Sequence, residues 1–472
     1  MPVNSQNKQY QAKVLQWEQV DDCINDRVKE KQKLYLPDPE SEIKSGSDYN
    51  GSAQRYKDYI MRAMFMNVVK RTHDGFLGSV FRMDSSVELP SNLEYLETSV
   101  NSTGMPLDQF AKAVESEGIK TGRCFVLTEY PNVQGETAQT KADSAGRKAS
   151  LIAYDAKNVI NWQTTDGKLS LIVIEQIYDT GKGDEFSPDV EAEYLVLRYR
   201  GGEYTQQIYR DEKPVEDEEI VIKKSDGSNW DFIPGVFIGT VNNLPDVDPS
   251  LLFSISELNI GHYRNSADLE ENNFIHGQMT IGISTPMDTA QFKEANPQGV
   301  QVGARRGHNL GDGGSFHSLQ ADPNQLASKM MLDKQEQMAA IGARLIEKAG
   351  GVETAEAVKA KAGADTASLA NLTKNVSSGL TQCLQWAGLF MGVSDAEEIK
   401  IELNQDFYPD SLDATQVAAL IQLYDRGRVA ASDVHSRLQE GGIIAKDRSL
   451  DDISGEVEAE PPTAGANTFN NF

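Results

Sequence analysis

The sequence predicts an α+β fold in which long helices flank a block of antiparallel strands. Two apolar-periodic stretches, Asp248 to Gly277 and Asp322 to Ala349, each open on an Asp-Pro pair and bracket a segment, Gln278 to Ala321, that no helix crosses. Between positions 123 and 238, six runs rich in β-branched and aromatic residues alternate with turn dipeptides. A third stretch places Leu369, Leu372, Val376, Leu380, Cys383, Ala387 and Phe390 at helical spacing and stops at Gly392.

Taken in order, residues 1–52 are polar apart from Val14, Leu15 and Trp17, and the Gly and Ser near position 50 predict a flexible arm. Helices are expected over Ala53 to Val69 and from Met105-Pro106 to Glu117, the latter ended by Gly118. The expected strands are Arg123 to Tyr130, Leu151 to Tyr154, Leu169 to Tyr178, Tyr194 to Tyr199, Tyr204 to Tyr209 and Phe232 to Ile238. Asp166-Gly167 and Gly201-Gly202 read as two-residue hairpin turns, where positive φ is needed and Gly supplies it, so the block is an antiparallel meander.

Each Asp-Pro pair suits a helix start, because Asp accepts from first-turn amides and Pro lacks the amide that would go unpaired. Both helices should reach about 40 Å. Leu251, Ile255, Leu258, His262 and Leu269 form one stripe on the first, and Ile260, Tyr263, Ala267 and Phe274 a second. Two stripes require neighbours on two sides, supplied either by a large monomer or by adjacent subunits of a ring. On the second helix Leu326, Met330, Ile341 and Leu345 make one face. The intervening insert fits two short strands around a short helix or turn. Beyond Gly350-Gly351 the chain is helix-prone but interrupted at Gly363. A strand is then expected at Ile399, Ile401 and Leu403, with helices over Val417 to Tyr424 and Ser432 to Gln439, and residues 451–472 read as an acidic disordered tail.

With 472 residues and 39% apolar content the chain can bury a large core. Its 71 acidic against 45 basic side chains give a net charge of −26, which opposes general phosphate binding. Cys23, Cys124 and Cys383 have no paired spacing, so neither a disulfide framework nor a zinc site is indicated and a reducing interior fits. Neither a signal peptide nor a membrane span is expected. The sequence contains no GxxxxGK[ST], HExxH, GxSxG or EF-hand loop, and Gly181-Lys182-Gly183 lacks the rest of a phosphate loop. His262 and His276 would stand about 21 Å apart on one helix and cannot share a metal. His308 and His317 read as loop residues. No metal, cofactor or catalytic group is predicted, and the chain is read as no enzyme.

Several stretches resemble the portal proteins of tailed bacteriophages, in a branch described only as a conserved phage domain. They are GFLGSVFRMDSSVELP, GRCFVLTEYP, YDAKNVINWQTTDGKLSLIVIEQIY, LPDVDPSLLFSISELNIGHYRNSADLEENNFIHG with its Leu-Asn, His-Tyr-Arg and Ser-Ala-Asp pattern, and MAAIGARLIEKAGGVETAEAVKAKAGADTASLANLTKNVSSGL. Together they span roughly Asn50 to Asp447. The resemblance implies a ring, usually of twelve subunits, at one capsid vertex, around a channel through which double-stranded DNA is packaged and ejected. The ring would be part of the virion, assembled in the host cytoplasm.

Laid on this chain, it implies a wing over 53–247, a stem helix over 248–277, a clip over 278–321, a second stem helix over 322–349 and a tunnel loop over 350–361. A long helix over 362–392 and a carboxy-terminal wing and crown over 393–450 follow. Gly350 and Gly351 become the tunnel-loop hinge. Lys348, Lys359 and Lys361 become candidates for transient phosphate contact in an otherwise repulsive channel, with solvated surface lysines as the alternative. Arg305 and Arg306 become candidates for docking the terminase large subunit or a head-completion adaptor, with pairing inside the ring as the alternative. Tail, major capsid and scaffold proteins are the other implied partners, and no membrane is. The rival functions are a capsid or scaffold protein without a channel, and a packaging enzyme with an unrecognised active site.

Overall fold

The computed structural model describes residues 2–39, 51–101, 103–130, 148–184, 186–215, 219–224, 226–277, 280–297, 299–300, 308–319, 326–341, 355–405, 407, 414–440, 443–444 and 448–459. The chain divides into two compact units, one of Met1–Gly78 with Ser85–Leu403, the other of Ser79–Asp84 with Asn404–Phe472.

The amino-terminal segment is not an arm. Helix α1 (Lys8–Ile24) starts where the Asn7 side chain accepts from the Gln9 amide at 2.9 Å. Tyr10, Trp17, Val20 and Ile24 recur at helical spacing and are buried. The Trp17 indole donates to the Thr121 carbonyl at 2.8 Å, and the Tyr10 hydroxyl to the Lys157 carbonyl at 3.0 Å. These few large side chains dock a segment whose average composition is polar.

The helix expected over Ala53 to Val69 is two helices, α2 (Gly51–Arg62) and α3 (Val68–Val80). Asn67 caps α3 by accepting from the Lys70 amide at 2.9 Å. From α6 (Phe253–Gly277), the buried Asn259 amide accepts from Val68 N at 3.1 Å and donates to the Met66 carbonyl at 2.8 Å. Those bonds hold the non-helical backbone between the helices.

Strand β1 (Ser86–Glu88) and the single turn α4 (Tyr95–Thr98) lead to α5 (Leu107–Thr121). This helix runs past Gly118, its expected stop, and ends at Gly122 with φ 85. Gly118 instead leaves room for another helix, since a Cβ there would lie 2.7 Å from Leu372 Cδ1. The central strand β2 (Arg123–Glu129) pairs antiparallel with β3 (Ser150–Asp155) on one side and with β10 (Gly235–Gly239) on the other.

The meander comprises β4 (Val159–Thr165), β5 (Lys168–Asp179), β6 (Val190–Arg200), β7 (Glu203–Arg210) and β8 (Lys213–Pro214), with β9 (Ile220–Val221) also on β7. Both predicted hairpin turns are present. Asp166 and Gly167 have φ 52 and 77 between paired Thr165 and Lys168, and Gly201 and Gly202 have φ 65 and 86 between paired Arg200 and Glu203. Strand β4 adds to the runs expected from sequence; its Trp162 packs inward against Phe237 of β10.

Helix α6 begins four residues after Pro249. The expected cap, Asp248, turns back and accepts from the amides of Val241 and Asn242 at 2.7 and 3.1 Å. It ties the loop before the helix, so Asp248→Ala, which removes a buried carboxylate that accepts from two part-buried amides, should cost about 1–3 kcal/mol by urea denaturation. The insert holds β11 (Thr280–Ser284), α7 (Thr289–Ala295) and β12 (Ser315–Leu319), with β11 and β12 antiparallel and Asp288 closing a capping box on α7. Helix α8 is described over Leu326–Ile341, and 320–325, with the expected start at Asp322-Pro323, lie outside the described residues.

Helix α9 (Ala355–Met391) passes Gly363 without a break and ends before Gly392, whose φ is 72. All seven residues of its predicted stripe are buried, against β2, β10 and α5. Strand β13 (Lys400–Glu402) pairs with β1. In the second unit α10 (Ala414–Asp425), α11 (Ala431–Glu440) and α12 (Leu450–Ala459) follow. Helix α12 occupies the start of the expected tail: the Ser449 hydroxyl accepts from Asp452 N at 3.1 Å while the Asp452 carboxylate accepts back from Ser449 N at 3.4 Å. Residues 460–472 lie outside the described residues.

Candidate functional site

Helices α6 and α8 run antiparallel and carry the hairpin insert between them. At their middle Gln335 and His262 meet, Nε2 to Nε2, at 3.1 Å. Burial, then the Lys334 charge, lowers the His262 pKa, so the ring stays neutral and accepts at this nitrogen. The Lys334 stem lies over Gly261, where a Cβ would sit 2.8 Å from Lys334 Cε. On the other flank, the Tyr59 hydroxyl donates to Asp268 at 2.7 Å, and Arg62 pairs with Glu271 while lying over the Phe274 ring at 4.2 Å.

The face of α8 predicted to be apolar is not the one turned to α6. Met338 is buried there, while Leu326, Met330 and Ile341 are 63, 40 and 38% exposed. They line two grooves along the seam. One, of about 610 Å³, is bounded by Ser254, Glu257, Leu258, Lys334, Gln337 and Ile341; the other, of about 300 Å³, by Tyr59, Asn265, Asp268, Asn272, Leu326 and Met330.

None of the residues singled out from sequence is brought together here. Arg305, Arg306, Lys348, Gly350 and Gly351 lie outside the described residues. Lys359 and Lys361 fall within α9, so residues 355–361 of the expected tunnel loop have helical backbone, and their side chains lie outside the described residues.

Two polar constellations were not foreseen. His73 Nδ1 is 3.0 Å from Asp74 Oδ1, and its Nε2 is 2.9 Å from Ser116 Oγ. This is the order of a hydrolytic triad, but Ser116 lies inside α5, where its own amide is committed to the helix and no strained turn presents its hydroxyl. The three residues tie α3 to α5. Second, Glu115 is fully buried between α5 and α9; it accepts from Thr373 Oγ1 at 2.9 Å, and its Oε2 has no hydrogen-bond partner. Periodicity could not mark either, because both depend on which helices meet. Among the described residues no group of three or more His, Cys, Asp or Glu is placed to hold a metal ion, and no helix is long and apolar enough to cross a membrane. All three cysteines are free and buried.

A family model described as a domain of unknown function, DUF4055, matches residues 252–391, from α6 through α9. Among solved structures, the chain is similar to the neck of an empty GTA particle, at 12% identity and a TM-score of 0.41, over 80% of this chain and 92% of that one. It is also similar to an HK97 family phage portal protein from Corynebacterium diphtheriae, at 10% identity and a TM-score of 0.33, over 75% of this chain and 99% of that one. No curated protein sequence matches.

Proposed function

We propose that this chain is a portal-type subunit that assembles as a ring around a passage for double-stranded DNA, and that it acts without catalysis of its own. The observation that carries the reading is the antiparallel α6–α8 pair, which holds a hairpin insert at its end and leaves the apolar stripe of α8 exposed on the single chain. Such a stripe calls for a partner. The sequence resemblance, which runs through the same helices, supplies the kind of assembly. In this reading the insert faces the packaging motor and later the tail proteins, with Arg305 and Arg306 in its docking surface. Lys348, Lys359 and Lys361 touch passing phosphates near the Gly350-Gly351 hinge. The net charge of −26 on every copy keeps the genome from being held.

Negative-stain micrographs of the purified chain test this. Rings with an axial hole, about twelvefold, are the expected result. Single chains at every protein and salt concentration, or closed particles without a hole, would overturn it in favour of a scaffold role.

A further inference from the structure

Helix α6 packs against α8, α1 and α2, and His262 stands in its seam with α8, 2% exposed. Nε2 of the ring faces the Gln335 amide nitrogen at 3.1 Å, and Nδ1 is buried without a hydrogen-bond partner. A neutral ring tolerates this, because Nε2 then accepts from Gln335. An imidazolium carries a hydrogen on each nitrogen, so Nε2–H would confront the Gln335 N–H group and Nδ1–H would find no acceptor. Turning the Gln335 amide over would offer one acceptor but no counter-charge.

The charges on the neighbouring helices do not supply one either. From α8 comes a cation, Lys334, whose stem crosses Gly261, while Asp333 and Glu336 fall about 140° and 160° round the helix from the buried Met338. On α1, Asp21 and Asp22 are engaged by Arg27 and Tyr35, Glu18 is exposed, and contact with α6 runs through Gln19 and Ser256. On α2, Tyr59 is taken up by Asp268, and Arg55 and Arg62 by Glu271, about two turns further along α6. Within α6 itself, Glu257 lies more than a turn back and Arg264 donates to the Tyr35 carbonyl at 2.7 Å. Among the described residues, burial and then the Lys334 charge act on the ring, and both disfavour its charged form.

We infer that the α6–α8 seam is an acid-released joint, shut by the uncharged His262 ring and loosened when that ring takes up a proton. Little else holds the seam, since Met338 is the one buried side chain among the described residues of α8. A segment so thinly packed can open by itself while the core stays folded. The direction follows from linkage. In the open seam the ring titrates at its ordinary value, 6.5, and in the closed seam below it, so the closed form has its full stability above pH 6.5 and loses it as the pH falls. Release of α8 would let go of one of the two helices that carry the β11–β12 insert. The joint lies within one chain, so it stands or falls independently of the ring.

Amide hydrogen exchange of the full chain between pH 7.5 and 5, read by mass spectrometry and corrected for the intrinsic pH dependence of exchange, tests this. Protection of the α8 amides should fall by up to about tenfold for each pH unit below 6.5, the slope for one proton taken up on opening, while the α9 amides from Leu369 to Phe390 keep theirs. His262→Gln, which stays uncharged, should make the α8 profile flat. Lys334→Met relieves the closed ring of its cationic neighbour and should shorten the fall; it carries the test should the α9 amides show that His262→Gln has not folded. Protection in α8 that holds throughout, that is lost together with that of α9, or that falls equally in the folded His262→Gln chain or in full in the Lys334→Met chain would overturn the assignment.

Discussion

Replacing Glu115 with Gln is expected to stabilise the chain at pH 9 by several kcal/mol and to change little at pH 5. Burial pushes the Glu115 carboxyl up to about 8, and the Thr373 hydrogen bond only partly opposes this. In the unfolded chain the group titrates at its ordinary value, 4.5. Between these values the native state holds a proton that the unfolded state has released, so stability falls as pH rises through the window and levels off above about 8. The gap corresponds to about 5 kcal/mol at most, a large part of the margin of an ordinary domain. Gln preserves shape and the bond from Thr373 but cannot ionise. Urea midpoints of both chains at pH 5, 7 and 9 measure the difference; curves that stay parallel would show that Glu115 gains water or a counter-charge in solution.

Trp17→Ala should cost about 3–5 kcal/mol, the range for emptying a fully buried aromatic site. It also leaves the Thr121 carbonyl, at the end of α5, without its indole donor. Trp17→Phe separates the two effects, because it keeps the ring and loses only the bond, for about 1 kcal/mol. Thermal melts of the three chains should fall in that order. A melt for Trp17→Ala within a degree of the parent would mean that α1 does not dock.

What could be read ahead of the structure was whatever depends on neighbours along the chain. Asp166-Gly167 and Gly201-Gly202 demand positive φ locally, and both hairpins turn there. The stripe from Leu369 to Phe390 is long enough for its period to be unambiguous, and every member is buried. What escaped was decided across the fold. Asp248 looks like a cap by position, but amides upstream in the chain, at Val241 and Asn242, compete successfully for its carboxylate. Asn67 breaks an otherwise continuous helical pattern because Asn259, far off in sequence, completes the break. On α8 the period located the stripe of Leu326, Met330 and Ile341 correctly. It could not say that α6 takes the adjoining face instead. Of the candidate site, the helix pair and the hairpin nature of the insert were legible. The grooves were not, since a groove exists only between elements whose packing the sequence leaves open.

The burial of all three sulfur atoms has a practical side. Desolvation holds the Cys23 and Cys383 thiols at about 12 and raises Cys124 well above its usual value. The thiolate that performs exchange is thus scarce at each position, and no bulk oxidant reaches it while the core stays shut. A sulfhydryl introduced on the outside would react alone, giving chemical probes of this molecule a silent native background without any prior removal of cysteine.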